Sequence, residues 1–437
     1  MTKPIAADER ASQSRYRVLV LGLLTGVYFL YLLDRNAILV TQELIKAEFH
    51  LDDTRMGLLI GAFYGISYGL AGLPIGWMID RANRRNVLVV ILSIWSGLTA
   101  LCGVSTAYWH LVIVRMGVGA SESGGSPASL SILSDIFPPE RRATVTSTFF
   151  AGTSLGMVAS YFIGGVVARE YGWRAVFLLY GLPGLLLALT IGMVVREPAR
   201  HVRAANEIQG GVVKAALDVL RTPLAVPIYA GAVLFCTSIS ATGGWLMAFL
   251  MRVRGLDVAT AGLVMAGAVG GIGVVGTITS GFLSDRARRN GPGGPLMVVG
   301  VSALINVAAC IIAYNIADFR VVLAALCVFG LTFNTYPGPT TATLSLIVRP
   351  VNRGMAFALY ALLANFIGGM GPLVVGMLSD HYFPGHLATA MEMVLVLGVF
   401  GGLTCLWAGR ALNRLHGQPP DCGVPLTPDG QSSPAAS

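Results

Sequence analysis

The sequence predicts an all-α membrane protein, with twelve transmembrane helices arranged as two pseudo-symmetric bundles of six. Three observations predict this architecture. Of the 437 residues, 54% are apolar and only 12% are charged, whereas a soluble domain carries about 25% charged residues. About twelve apolar runs each have the length of roughly 20 residues that a membrane-spanning helix needs. A short basic motif also recurs after about half of the chain.

The apolar runs follow one another through short connections, with one exception. The connection 196–222 is long, and it divides the runs six and six. Its part from Val212 to Leu220 has the pattern of a short amphipathic helix on the membrane surface. The runs lie near 17–43, 55–79, 86–107, 109–136, 143–168, 173–195, 223–251, 258–284, 295–316, 319–348, 354–379 and 388–411. The predicted domains are therefore a cytoplasmic N-terminal segment (1–16), a first bundle (17–195), a cytoplasmic linker (196–222), a second bundle (223–411) and a disordered cytoplasmic tail (412–437).

The positions of Lys and Arg predict the orientation in the membrane. With the N-terminus in the cytoplasm, 21 of the 30 Lys and Arg residues fall in inner segments and 7 in outer loops. Cytoplasmic loops carry such an excess. We therefore expect a multi-pass protein of the plasma (inner) membrane with both termini in the cytoplasm. The same placement accounts for the net charge of +8 without a nucleic-acid partner.

Four charged residues interrupt the first and fourth apolar runs. Asp34 and Arg35 are adjacent in "FLYLLDRNAI", and Arg115 and Glu122 are seven residues apart in "RMGVGASESGGSP". Seven residues are about two helical turns, so Arg115 and Glu122 share one helix face. The expected depths place all four charges in one layer, where they can pair across a watery cavity. Pro127 permits a kink just after them.

Two interpretations of this layer remain open. Because ionisable residues inside a membrane are expensive, they mark a functional site by default, but a structural ion-pair network is the alternative. In the functional interpretation, Asp34 and Glu122 carry protons while Arg35 and Arg115 bind a carboxylate or phosphate. Movement or occupation of an arginine then changes how readily an acid binds a proton.

The recurring basic motif predicts a charged latch on the cytoplasmic side. It reads "GWMIDRANRR" at the end of the second run and "GFLSDRARR" at the end of the eighth. Asp80 and Arg84 are four residues apart and can pair at the helix end. Simple anchoring by the positive-inside rule is the alternative. The predicted gate consists of Asp80, Arg81, Arg84, Arg85, Asp135, Asp285 and Arg286.

Further candidates for the cavity wall are polar or aromatic residues within apolar runs of the second half. They are Trp245, Asn334, Tyr336, Tyr360 and Asn365. Interhelical packing or hydrogen bonding is the alternative for each of them. The six Cys residues are scattered without metal-ligand spacing, and the chain has no phosphate-binding or zinc-protease motif. We therefore expect no cofactor, no metal and no enzymatic activity.

These motifs resemble the major facilitator superfamily, whose signature loop is similar to "GWMIDRANRR". The stretches "YLLDRNAI", "LDDTRMGLLIGAFYG", "RMGVGASESGGSP", "SDIFPPERRA" and "GWRAVFLLYGLPGLLLAL" resemble its spinster-like branch, and the anion:cation symporter branch is similar in its first and fourth helices. The resemblance implies alternating access with proton coupling, a coupling or substrate role for the four buried charges, and a gate at Asp80, Arg81 and Arg85. Ser121 and Ser123 depart from the usual Gly-Glu-Ala, and their extra hydroxyls are expected to alter the hydrogen bonding of Glu122. Both are also candidate substrate-binding residues.

The predicted function is proton-coupled secondary transport of a small or amphipathic organic anion by a monomer. Spinster-like proteins include transporters of lysolipids, and the symporter branch takes sugar acids and aromatic acids, so both groups include anions. The alternatives are a proton-driven exporter of lysolipid-like amphiphiles or drugs and, further away, a channel or a receptor. The expected partners are the small-molecule substrate, protons and the lipid bilayer.

Overall fold

The structure is a computed structural model and describes residues 7–138, 141–198 and 211–417. These residues form helices joined by short connections, and no strand occurs among them. Predictions for the middle of the linker (199–210) and for residues 418–437 of the tail lie outside the described residues.

The first six apolar runs form one helical bundle. Within it, α1 packs along α7, and α4 packs along α8. Helices distant in sequence therefore hold the bundle together. The helices are α1 (Ala7–Phe49), α2 (Asp53–Gly57), α3 (Phe63–Arg81), α4 (Arg84–Cys102), α5 (Tyr108–Glu122), α6 (Gly125–Ile136), α7 (Arg142–Tyr171) and α8 (Trp173–Val194).

The second half repeats this plan after a short helix in the linker. In it, α18 packs along both α10 and α13. The most buried of these spans is α10. In its most apolar stretch, 83% of the residues are buried, so α10 lies near the centre of the molecule. The helices are α9 (Gly211–Leu220), α10 (Ala225–Arg252), α11 (Val258–Met265), α12 (Ile272–Arg288), α13 (Gly294–Asn315), α14 (Phe319–Phe333), α15 (Pro337–Ile347), α16 (Arg353–Phe366), α17 (Gly371–His381) and α18 (Leu387–Gly417).

The described residues contain eleven helical spans that are long and apolar enough to cross a membrane. The fourth predicted run is not among them because it is divided into α5 and α6, of 15 and 12 residues. Together these two helices have the length of one span. The observed architecture therefore agrees with the predicted all-α fold of twelve helices.

Proline residues explain where spans break. In a helix, the ring of Pro127 clashes with the carbonyl group four residues earlier, and the chain leaves the helix at that residue, Ser123, between α5 and α6. In the second half, α14 ends at Phe333 and α15 begins at Pro337. The fourth span of each half is therefore divided into two helices at a matching position.

The second span of each half contains a π-helical segment. These segments are Leu58–Ala62, between α2 and α3, and Ala266–Gly271, between α11 and α12. A π-helical turn inserts one extra residue and re-aims the side chains that follow, and such turns are frequent at functional sites.

The structure bears on two of the predicted domain boundaries, one in the linker and one before the tail. The amphipathic helix predicted in the linker is present as α9, which packs on α16 through a face that includes the buried Ala215 and Val219. The last helix is longer than expected. It continues to Gly417, so residues 412–417 are helical where the sequence predicts a disordered tail.

The apolar cores show how the two bundles meet. On the predicted outer side, one core contains residues of both bundles, including Ile45, Met56, Trp245 and Phe249. On the predicted inner side each bundle has its own core: one surrounds Trp95 and another surrounds Ile228. The bundles are therefore joined at their outer ends and packed independently at their inner ends.

Candidate functional site

A cavity of about 410 Å³ lies between the two bundles. Its wall in the first bundle is aromatic and basic, whereas the described residues of its wall in the second bundle are polar or apolar and none is charged. The first bundle contributes Tyr28, Tyr31, Arg35, Tyr64, Arg115 and Tyr161. The second contributes Cys236, Ser240, Phe333, Asn334, Tyr336 and Asn365, among others.

Arg35 is held against the cavity wall by two tyrosines. Its Nη1 donates a hydrogen bond to the hydroxyl of Tyr31 over 2.6 Å. Its Cζ atom lies 5.0 Å from the ring centre of Tyr64 and 5.9 Å from that of Tyr31. These distances allow cation–π attraction, so the aromatic rings stabilise the guanidinium in place of a carboxylate.

Arg115 is 1% exposed and approaches the same ring from the fourth span. Its Cζ atom lies 5.3 Å from the ring centre of Tyr64, and its Nη1 donates to the backbone carbonyl of Asp34 over 3.5 Å. Its Nε has no hydrogen-bond partner among the described residues. Arg115 therefore keeps donor capacity beside the cavity.

The two acids lie behind this basic layer and are not part of the cavity wall. Glu122 accepts a hydrogen bond from the hydroxyl of Tyr64 over 2.6 Å, while its other carboxylate oxygen has no partner among the described residues. Asp34 is completely buried, and neither of its carboxylate oxygens has such a partner. The buried indole nitrogen of Trp95 and the buried hydroxyl of Thr99 are likewise without a hydrogen-bond partner among the described residues.

The side chains of Asp34, Arg35, Arg115 and Glu122 lie close together, but they do not form the predicted ion pairs. No nitrogen–oxygen distance within 4.0 Å joins these four side chains, all of which the structure describes. Tyr64 contacts both guanidinium groups through its ring and Glu122 through its hydroxyl, so it lies between the arginines and that acid. Because the two arginines line the cavity and the two acids do not, two positive charges face the cavity.

The structure places the other predicted site residues in two groups. Asn334, Tyr336 and Asn365 line the cavity, and Tyr336 contacts Cys236 over 3.2 Å. The remaining four do not line it. Ser121 and Ser123 bond to carbonyls of their own helix, Trp245 is buried and donates to the carbonyl of Pro372, and Tyr360 lies in the inner core of the second bundle.

Comparison with known proteins gives the family. Residues 24–372 match the Major Facilitator Superfamily. The chain belongs to this superfamily. An MFS-type efflux pump of Mycolicibacterium smegmatis is 29% identical, over 90% of this chain and 92% of that protein. A probable galactarate/D-glucarate transporter of Bacillus subtilis is 26% identical, over 65% of this chain and 68% of that protein.

A solved structure in the superfamily has the same arrangement. It is the inward-facing, unoccupied form of a bacterial homologue of the human lysosomal transporter spinster, with a TM-score of 0.83 and 25% identity over 91% of this chain and 98% of that one. The protein is thus a multi-pass membrane transporter related to spinster and to acid-sugar transporters, and it is not an enzyme.

Sequence analysis missed the tyrosines that organise the cavity. Tyr64 occurs in an apolar, glycine-rich run, where an aromatic residue is usually a packing residue. The signal that distinguishes it is structural, because the π-helical segment Leu58–Ala62 ends two residues before it. Tyr28 and Tyr31 stack on each other with ring centres 5.2 Å apart and extend the aromatic wall from the first span.

The predicted inner gate contains a buried ion-pair cluster within the first bundle. Arg84, predicted to pair with Asp80, pairs with Asp135 over 2.5 Å and with Glu197 over 2.8 Å, and its side chain is 6% exposed. It thereby joins α4 to α6 and to the start of the linker. Among the other predicted gate residues, Arg85 donates to the carbonyl of Gly192, Arg81 lies over the ring of Trp77, and Asp80, Asp285 and Arg286 are exposed at the ends of α3 and α12.

Charged groups cross between the bundles at the predicted outer ends instead. Arg252 at the end of α10 binds Glu43 of α1 over 2.6 Å and Asp53 of α2 over 2.8 Å. Asp53 also pairs with Lys46 and accepts a hydrogen bond from Ser379 over 2.7 Å. We call the residues Glu43, Lys46, Asp53, Arg252 and Ser379 the outer cluster.

A seam of close backbone contacts lies beneath the outer cluster. The seam joins Gly57, Gly61 and Gly65 in the second span to residues 365–372 of the eleventh. A side chain at Gly61 would collide with the backbone oxygen of Gly369, and one at Gly65 would lie 2.6 Å from the oxygen of Asn365. Glycine is therefore required for the outer ends to close against each other.

Proposed function

We propose that the protein is a proton-coupled secondary active transporter of a small or amphipathic organic anion, working by alternating access. The observation that carries the proposal is the arrangement in the cavity. Arg35 and Arg115 face the space between the bundles, and neither has a carboxylate within 4.0 Å among the described residues.

The anion follows from the charge of the cavity wall. An arginine inside a membrane keeps its charge, so two uncompensated arginines need an anionic partner or water. The opposite wall offers amide and phenol groups at Asn334, Tyr336 and Asn365, with Phe333 between them. Such a wall suits an organic body with a few polar groups, and the volume is at the lower end of the range for small-molecule sites.

The proposed proton coupling is supported by the two acids that lie behind the arginines. Asp34 and Glu122 are buried carboxyl groups without arginine partners. A charged carboxylate in such a place is expensive, and proton binding removes that charge. When an anion binds Arg35 and Arg115, it reduces the positive potential that offsets the acids, which favours proton uptake.

Alternating access follows from the two ends of the molecule. The outer ends share one core, the outer cluster and the glycine seam, whereas the inner ends have separate cores. Rocking of the bundles about the cavity exchanges these states, as is general for transporters built from repeated halves. The distribution of Lys and Arg supports both termini in the cytoplasm and a place in the inner (plasma) membrane. We further propose that the protein works as a monomer.

Export of lysolipid-like amphiphiles or of drugs is the second candidate. It is favoured by the similarity to an MFS-type efflux pump over nearly the whole chain. Apolar side chains such as Met157, Met265 and Val269 line part of the cavity and would accept an alkyl or aromatic tail. Under this alternative the driving proton would move against the substrate rather than with it.

Uptake into proteoliposomes tests the proposal. D-glucarate, benzoate and lysophosphatidate are offered with and without an inward proton gradient. We expect gradient-driven accumulation of at least one anion. We also expect Asp34→Asn and Glu122→Gln to abolish it while anion exchange continues. Glu48→Gln is the matched control, since Glu48 is an exposed acid paired with Arg174 on the bundle surface.

Two results would contradict the proposal. Gradient dependence that survives in both Asp34→Asn and Glu122→Gln would remove these acids from the coupling. Transport of cationic drugs, with no response to any of the three anions, would favour the exporter instead.

A further inference from the structure

Tyr64 is the side chain that Arg35, Arg115 and Glu122 all contact. Its ring centre lies 5.0 Å from Cζ of Arg35 and 5.3 Å from Cζ of Arg115. Its hydroxyl donates a 2.6 Å hydrogen bond to Glu122. The ring also lines the cavity, whereas Glu122 does not. Tyr64 is therefore the direct physical connection between the cavity and the buried acid.

The fold places this ring with little freedom. The π-helical segment Leu58–Ala62 ends two residues before Tyr64 and sets its direction from the helix. On the opposite side, Gly119 lets α5 approach α3 closely. A Cβ atom at Gly119 would lie 2.6 Å from the hydroxyl of Ser67, 2.8 Å from the backbone oxygen of Tyr64 and 3.1 Å from its ring. A small change at either contact would move the ring.

We propose that Tyr64 is the positioning residue that couples the two events of transport. Its ring contacts Arg35 and Arg115 at the cavity, while its hydroxyl donates to Glu122 and thereby favours the charged form of that carboxyl. Anion binding to the arginines and proton binding to Glu122 then involve movement of the same side chain. This inference rests on the proposed function, because it assumes that an anion binds the two arginines.

The sign of the coupling follows from the hydrogen bond. A phenol hydroxyl that donates to a carboxylate stabilises the charged form. An anion that draws the guanidinium groups into the cavity weakens their attraction to the ring, and the ring is then free to release Glu122, which takes up a proton. The other titratable or charged groups that act on Glu122 are Arg35 and Asp34 on α1, Tyr68 on α3 and Arg115 on its own helix.

Infrared titration of the carboxyl band tests the first half of the inference without any substrate. The band of protonated Glu122 is the one that Glu122→Gln removes. Tyr64→Phe keeps the ring and deletes only the hydroxyl. We expect this variant to protonate Glu122 at a pH higher by about one unit, since one hydrogen bond to a charged group has roughly that effect.

Two variants separate this role from general packing. Tyr229→Phe removes a buried hydroxyl that donates to the carbonyl of Ala356 in the second bundle, so it should destabilise the protein similarly without moving the midpoint. Gly119→Ala changes no functional group but displaces Tyr64. It should raise the midpoint as Tyr64→Phe does, and it provides the test if Tyr64→Phe does not fold.

The second half of the inference is tested by repeating the titration with D-glucarate. We expect the anion to raise the Glu122 midpoint in the wild type and to have less than one third of that effect in Tyr64→Phe. Equal midpoints in wild type, Tyr64→Phe and Gly119→Ala would overturn the inference, and so would an undiminished anion effect in Tyr64→Phe. A wild type that does not respond to D-glucarate counts against the proposed anion, while the substrate-free comparison still decides whether Tyr64 controls Glu122.

Discussion

Removal of Arg252 is expected to open the outer ends of the bundles. Arg252 binds acids on two helices of the other bundle, and its side chain is 25% exposed. Breaking a buried ion pair by removing one partner costs about 3–5 kcal/mol. Lys46 still neutralises Asp53 in Arg252→Gln, so a loss of about 2 kcal/mol is more realistic for this variant. The conformation with open outer ends lacks these contacts, so the substitution does not change its free energy.

This difference in free energy between the two conformations changes their populations by a measurable amount. A relative loss of about 2 kcal/mol changes the ratio of inward-open to outward-open molecules by about 30-fold. If about 1% of wild-type molecules are outward-open, about 20–25% of Arg252→Gln molecules should be. Pulsed electron spin resonance between labels at the exposed outer residues His110 and His386 reports this as a second, longer distance.

The matched control for Arg252→Gln is Arg174→Gln. Arg174 forms an equally short pair with Glu48, but both residues belong to the first bundle. This variant should keep the wild-type distance distribution. An unchanged distribution in Arg252→Gln would refute the reasoning, as would an equal response in Arg174→Gln.

Three further predictions concern the glycine seam, the ion-pair cluster around Arg84 and the cavity. Gly61→Ala should also populate the longer outer distance, because the new methyl group collides with the backbone of Gly369. Gly76→Ala is the control and should keep the wild-type distances, because nothing lies within 4 Å of that position. Equal distance distributions in the two variants would contradict the role of the seam. Arg84→Gln should lower the free energy of unfolding by about 3–5 kcal/mol, because it breaks the buried ion pairs of Arg84 with Asp135 and Glu197, while the exposed pair broken by Arg169→Gln should cost less than about 1 kcal/mol. Thermal unfolding in detergent compares the two, and similar melting temperatures would argue against the cluster. Arg35→Gln and Arg115→Gln should each weaken anion binding at least tenfold, roughly the loss of one charge-assisted contact, and unchanged affinity by calorimetry would assign that arginine a structural role.

Much of the fold was predictable because each bilayer span must be apolar over a fixed length. The position of the break in the fourth span was also accessible, since Pro127 acts on the carbonyl of Ser123. The π-helical segments were not, because an extra residue in a helical turn leaves no mark in an apolar, glycine-rich run. The direction of Tyr64 depends on that turn.

The site was predictable in its charges but not in its contacts. Charges in apolar runs are conspicuous, and helix geometry placed Asp34, Arg35, Arg115 and Glu122 in one layer. Which groups touch depends on where Tyr64 of α3 lies relative to Arg35 of α1 and Glu122 of α5, and spacing within one helix cannot give that position. The outer cluster was missed for a similar reason, because Asp53 and Arg252 are loop-end charges about 200 residues apart.

The most direct test of the account counts the protons that accompany anion binding. Isothermal titration calorimetry with the bound anion, in two buffers of different ionisation enthalpy, gives this number for the purified protein. We expect proton uptake in the wild type and a reduced uptake in Glu122→Gln at the same pH. Anion binding that exchanges no protons at any pH would show that the arginines and the acids do not act as one site.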